Sequence, residues 1–282
     1  MTARPARVLP VPGLLGRSLA ALTGPGRFGG RGGLPLVERN VLAYRHLWIV
    51  LVSGVLEPLF YLLSIRVGLG ALVGHVTGPG GRVVPYAVFV APALLASASM
   101  NGAVFDSTYN VFHKLKYDKV YDAALATPLR PGDVALGEIT WALGRGLLYA
   151  IAFLVVLAAM GLVRSGWVLL SLPVAVLIGF AFAGVGVAAT TYMRSWKDFD
   201  FIILAVQPMF LFSATFYPLS VYPGALRTVV ECTPLYQAVA LLRGMSLGEL
   251  GPAMIGHAAY LAVMGLAGLY VAGQRIGRLL LA

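Results

Sequence analysis

The chain has 282 residues, of which 59% are hydrophobic and only 11% charged. Soluble domains carry about 25% charged residues, so this composition excludes an ordinary soluble domain and points to the membrane. The formal net charge of +10 raises nucleic acid as a partner, but the basic residues are sorted by loop rather than gathered on one face.

Residues 1–33 are rich in Pro, Gly and Arg. Pro10, Pro12, Gly13 and Arg17 interrupt what would be the apolar core of a signal peptide, so this stretch reads as a disordered basic cytosolic tail. Over 34–46, Leu34, Val37, Val41 and Tyr44 share one helical face, with Glu38, Arg39 and Arg45 elsewhere. That pattern suits a helix lying in the membrane interface; an extension of the first span is the alternative.

About 20 apolar residues cross a bilayer. Six segments qualify, at about 47–66, 84–105, 138–163, 167–190, 200–217 and 254–273. Lys and Arg number seven in 1–46, four in 106–136, two in 191–199 and two after 273, against Arg66, Arg82, Arg164, Arg227 and Arg243 in the alternate loops. This asymmetry puts both termini in the cytosol. Trp48, Trp141, Trp167 and Trp196 all fall near span ends, where interfacial aromatics gather.

Two ionisable residues lie inside expected spans: Glu57, roughly 15 Å deep, and Arg145, roughly 9 Å deep in the third span. Charges there are costly and need a partner, so a Glu57–Arg145 pair is expected, with a direct substrate contact as the alternative. Glu138, nearer the interface, reads as solvated. Between spans two and three lies a polar insert, 106–130, with Tyr109, Phe112, Tyr117, Val120, Tyr121 and Ala124 at helical spacing and lysines between. It reads as an amphipathic helix or helix pair, ended by Thr127-Pro128, and either docks a partner or is a solvated lipid-facing loop.

The fourth span carries Gly179, Ala183, Gly184, Gly186 and Ala188, small residues that permit close helix packing within one subunit or between subunits. Residues 218–252 fall outside. The piece from Thr228 to Leu242 is apolar but broken by Glu231 and Pro234, and is expected to dip into the outer leaflet and return.

No lysine follows a glycine, so a P-loop is missing. There is no HExxH and no Gly-x-Ser-x-Gly. Cys232 stands alone, which excludes an internal disulfide. His46, His75, His113 and His257 are scattered. No catalytic, cofactor-binding or metal-binding residues are expected.

Several strings in order resemble the membrane subunits of ABC-2 type exporters, and within them the nodulation J branch. They are 56–62 with Gly68-Leu69-Gly70, 86–95, 100–109, 124–129, 137–141 with Arg145, and 210–219. The resemblance runs from about residue 40 to the C-terminus and implies an all-α permease of six transmembrane helices. Residues 34–46 would be its interface helix, 106–130 its cytosolic coupling helix and 218–252 its external re-entrant segment. It also implies a cytosolic ABC ATPase subunit that binds ATP and Mg, a second permease copy, and outward movement of an amphipathic substrate such as a lipid-linked saccharide, glycolipid or hydrophobic drug. The domain division is then 1–33 for the tail and 34–282 for the transmembrane domain, in the bacterial inner membrane. Tyr109, Phe112, Lys116, Tyr117 and Asp118 are the expected ATPase-coupling residues. The rival reading is an integral-membrane lipid-modifying enzyme, which would need a convergent acid–base or metal constellation that the sequence does not offer.

Overall fold

A computed structural model describes residues 33–44, 56, 59–78, 81–163, 166–249 and 251–280. The expected tail, Glu57 and most of the first span lie outside these residues. Among the described residues the regular structure is helical except for one short hairpin, β1 (His75–Thr77) paired antiparallel with β2 (Val83–Pro85).

Four helices are long and apolar enough to cross a membrane: α3 (Tyr86–Lys116), α5 (Pro131–Ala159), α6 (Gly166–Thr190) and α10 (Ala253–Leu280). They are preceded by α1 (Leu34–Tyr44) and the shorter apolar α2 (Leu59–Val73). Between them run α4 (Val120–Leu125), α7 (Phe199–Leu211), α8 (Gly224–Cys232) and α9 (Pro234–Leu247). Helices α3 and α6 form the core. Tyr86 to Ser97 of α3 is buried without interruption, so both of its faces are apolar. Helices α5 and α10 flank the core and turn exposed apolar faces outward, as Leu148 and Val155 of α5 and Val263 and Leu266 of α10 do.

Small residues of the fourth expected span are used for packing inside the subunit. A Cβ on Gly268 would lie 2.4 Å from the Gly184 carbonyl carbon, and one on Gly184 would lie 2.7 Å from the Gly265 oxygen. Only glycine lets the α6 and α10 backbones come this close.

Three sequence boundaries move. The second span does not end at Phe105. Its helix continues through a π-helical turn, Asp106–Asn110, into Val111–Lys116, because Asp106, Ser107 and Thr108 are buried and bond locally: Thr108 Oγ1 donates to the Val104 carbonyl and Asp106 Oδ1 accepts from Asn110 Nδ2. The insert after it is therefore short: a turn with Lys119 in the left-handed region, then α4. Helix α5 begins at Pro131, seven residues before the expected span. Pro131 sits at its first position and the Arg130 N–H donates to Asp133 Oδ2 (3.0 Å).

The fifth expected span, 200–217, is shorter. Helix α7 has 13 residues, about 20 Å, well under a bilayer core. It stops where Phe212 leaves helical geometry and Ala214 takes a positive φ of 56°. Ser213, Ala214 and Thr215 are nonetheless buried. Non-helical backbone at such depth needs internal donors. Arg243 of α9 supplies them, donating to the Ala214 and Thr215 carbonyls.

The 218–252 segment forms a helix–break–helix. Pro234 ends α8 and begins α9, whose first turn is capped by Thr233 Oγ1 accepting from the Tyr236 N–H (3.3 Å). Helix α9 packs on α3, α6 and α10, so this segment belongs to the core rather than lying loosely on it.

Candidate functional site

The polar chemistry concentrates at one end of the bundle, where α1, the end of α3 and the start of α5 meet. Lys114 lies in the last turn of α3, Glu138 two turns into α5 and Asn40 on α1. Lys114 Nζ donates to Glu138 Oε2 (2.7 Å) and to Asn40 Oδ1 (3.0 Å), and Asn40 Nδ2 donates to Glu138 Oε2 (3.2 Å). All three side chains are buried. Tyr121 of α4 packs beside them, and burial first, then the Glu138 charge, pushes its hydroxyl well above the usual range. One buried network thus ties α1, α3 and α5 together, with α4 packed against it through Tyr121. Glu138 was expected to be solvated; it is 4% exposed because α1 and Lys114 cover it.

Helix α1 makes this possible with a face the sequence pattern did not single out. Leu36 and Asn40, one turn apart, face α5, while the apolar Leu34 and Val41 are exposed. An outward apolar stripe over an inward polar anchor fits a helix lying on the bundle at the membrane interface.

About two turns earlier in α3, a second buried ion pair joins Asp106 Oδ1 to Arg145 Nη2 of α5 at 2.9 Å. Asn110 Nδ2 donates to the same Asp106 oxygen (3.0 Å), and the Arg145 guanidinium lies 5.9 Å from the Tyr149 ring centroid. The carboxylate beside Arg145 is thus Asp106. Glu57, its expected partner, lies outside the described residues.

Arg145 borders a cleft of about 490 Å³ between α2, α3, α5 and α7. Tyr61, Phe105, Tyr109, Tyr149 and Phe210 supply aromatic walls, and Ser97, Asn101, Arg145 and Gln207 supply polar groups. Such a lining accepts a ligand with both apolar and hydroxylated parts.

Beyond the cleft the aromatic residues of the expected coupling region form a stacked cluster. Tyr109 stacks on Phe105 (4.8 Å) and on Phe199 (4.1 Å). Phe112 meets Trp196 (5.1 Å) and Phe199 (5.3 Å) edge-on, and Tyr117 stacks on Trp196 (5.9 Å). Phe112 is only 1% exposed, so it holds the cluster together from within. Tyr117 and Trp196 are 57% and 44% exposed. Lys116 and Asp118 are also exposed, and His113 Nδ1 lies 3.1 Å from Asp118 Oδ2. The Trp196 loop is itself fixed by Asp198, whose carboxyl accepts from the Arg194 and Ser195 N–H groups and is held below the usual range by those bonds.

A family profile described as ABC-2 type transporter matches residues 35–247, from the start of α1 to the end of α9. The chain belongs to that family. It is similar to nodulation protein J of Rhizobium leguminosarum bv. trifolii, 33% identical over 236 residues that cover 83% of this chain and 87% of the relative. It is also 32% identical to nodulation protein J of Sinorhizobium fredii NGR234 over 228 residues, 80% of this chain and 85% of the relative. A probable doxorubicin resistance ABC transporter permease protein, DrrC, of Mycobacterium tuberculosis is 24% identical over 214 residues, 73% of each.

The chain is therefore a multi-pass membrane permease of an ABC exporter, a family that works with an ATP-binding partner subunit. In this ABC-2 permease the residues expected from sequence separate by position. Lys116, Tyr117 and Asp118 are on the surface, Tyr109 is half-buried and Phe112 is internal. Sequence reasoning missed Lys114, Asn40 and Asp106 as buried partners, and Trp196 as part of the cluster. The signal was available for Asp106: with Asn110 it forms an i, i+4 polar pair on a helix that continues from an apolar span.

Proposed function

We propose that this permease, without an ATP site of its own, is driven by a separate cytosolic ATPase subunit that binds ATP and Mg and docks on the Lys116–Asp118 turn and Trp196. It works as a homodimer in the bacterial inner membrane with both termini cytosolic. Its substrate is amphipathic: a lipid-linked saccharide, a glycolipid or a hydrophobic drug, taken from the inner leaflet and released outward. The single observation that carries this reading is the buried Lys114–Glu138–Asn40 network standing two residues behind the exposed turn. A push on Lys116 and Tyr117 reaches α1, α3 and α5 together through groups that cannot be pulled apart without stranding a charge. The mixed lining of the cleft beside Arg145 supports an amphipathic cargo. Aromatic anchors commonly carry interface energy, at about 2 kcal/mol or more each on truncation. Tyr117→Ala with Trp196→Ala is therefore expected to abolish co-purification of the ATPase while leaving the permease folded and inserted in the membrane. Undiminished co-purification would remove the docking assignment.

A further inference from the structure

At the end of the bundle away from Lys114, a second cavity of about 520 Å³ opens between Thr77, Gly78 and Gly81 beside the hairpin, the 214–220 segment, α9 and the start of α10. Its wall holds a buried cation. Arg243 is 5% exposed, and its guanidinium carbon lies 3.8 Å from the Phe89 ring centroid. Its Nε donates to the Phe89 carbonyl (3.2 Å) and its Nη2 to the carbonyls of Ala214 (2.9 Å) and Thr215 (3.4 Å).

Buried cations are ordinarily paired with carboxylates, because desolvation is costly and neutral dipoles offset only part of it. Among the described residues no carboxylate stands within ion-pair distance of Arg243. The acid on the same cavity wall, Glu249, pairs with Arg82 at 3.8 Å instead. A guanidinium has five N–H donors. The bonds above use Nε and Nη2 and leave Nη1 without a partner among the described residues. The wall around it is largely apolar, with Phe89, Leu219, Ala240 and Met254.

We propose that this cavity binds a phosphate group, its anionic oxygens on Arg243, with Phe89, Leu219 and Met254 left to receive the apolar part when the phosphate is carried by a lipid. The volume is within the range of small-molecule sites, about 300–1,000 Å³. A guanidinium and a phosphate form short, charge-assisted hydrogen bonds, and an apolar surround strengthens them. The phosphate belongs to a lipid headgroup or is a free phosphate, and the two are separable by experiment. The site is independent of the ATPase docking surface at the other end of the molecule.

The test uses the purified permease in a neutral detergent, with melting temperature and native mass spectrometry as readouts. The probes are dihexanoyl phosphatidylglycerol, inorganic phosphate and uncharged dihexanoylglycerol. The phosphatidylglycerol is expected to bind and raise the melting temperature, and the uncharged diacylglycerol to do neither. Equal protection by inorganic phosphate assigns the site to a free phosphate rather than a lipid. Arg243→Gln is expected to weaken binding by about tenfold or more. Because Arg243 also braces the 214–215 backbone, Ala240→Phe, which adds bulk to the cavity wall and keeps the guanidinium, is expected to show the same loss of binding while remaining folded, as its own ligand-free melting transition reports. Equal binding of the uncharged diacylglycerol, no binding of either phosphate probe, or full binding by Ala240→Phe overturns the proposal.

Discussion

At the scale of single residues, the deciding contacts are two buried ion pairs whose members come from different helices. Lys114 and Glu138 are 24 positions apart, and Asn40, which bonds both, precedes Lys114 by 74. Removing one member strands a desolvated charge, which typically costs about 3–5 kcal/mol, while replacing both with apolar side chains is often nearly neutral. Glu138→Gln and Lys114→Met are each expected to lower the melting temperature in detergent, and the double variant to recover most of the loss. Strictly additive losses would mean that the two side chains do not act as a pair. Depth along a helix was legible in the sequence, so Arg145 was recognised as a buried charge in need of a partner. What covers a given depth was not. Glu138 near a span end looks solvated until α1 is laid across it, and no local pattern announces that packing.

At the scale of elements, the long apolar helices were legible from composition, because a 20-residue apolar run has few alternatives. Their ends were not. Helix α3 passes its expected limit because the π turn at Asp106–Asn110 buries polar side chains that looked like the start of a loop. That turn fits a notch in α6. A Cβ on Gly186 would lie 1.9 Å from Ser107 Oγ, and Thr190 Oγ1 donates to the Ser107 carbonyl (3.0 Å). Gly186→Ala is therefore expected to destabilise the permease by about 1–3 kcal/mol, the usual range for overpacking. Ser107→Gly in the same chain, which removes the colliding hydroxymethyl, is expected to restore most of the melting temperature. A Gly186→Ala protein that melts like wild type would mean the notch is open. The shortened α7 has an analogous cause at the other end: buried, non-helical carbonyls at Ala214 and Thr215 bonded by Arg243, a donor almost 30 residues downstream that periodicity within 200–217 does not reveal.

At the scale of the whole molecule, family membership was legible because ordered strings such as 86–95 and 210–219 occupy the buried α3 and the Arg243-braced break, positions where packing restricts the side chains. In a Cys232→Ala background, a cysteine at Gly224, which is exposed, should react in intact cells with a charged thiol reagent, and one at Lys116 only after the membrane is opened. The reverse labelling would invert the orientation. The central claim is that the Lys116–Asp118 turn receives a separate ATPase, and site-specific crosslinking tests it most directly. With a photoreactive amino acid at position 117 in native membranes, the account predicts one protein adduct whose partner carries a Gly-Lys-Ser/Thr nucleotide-binding loop, and no such adduct from position 224. Adducts to lipid alone at position 117, or the same ATPase adduct from position 224, would contradict it.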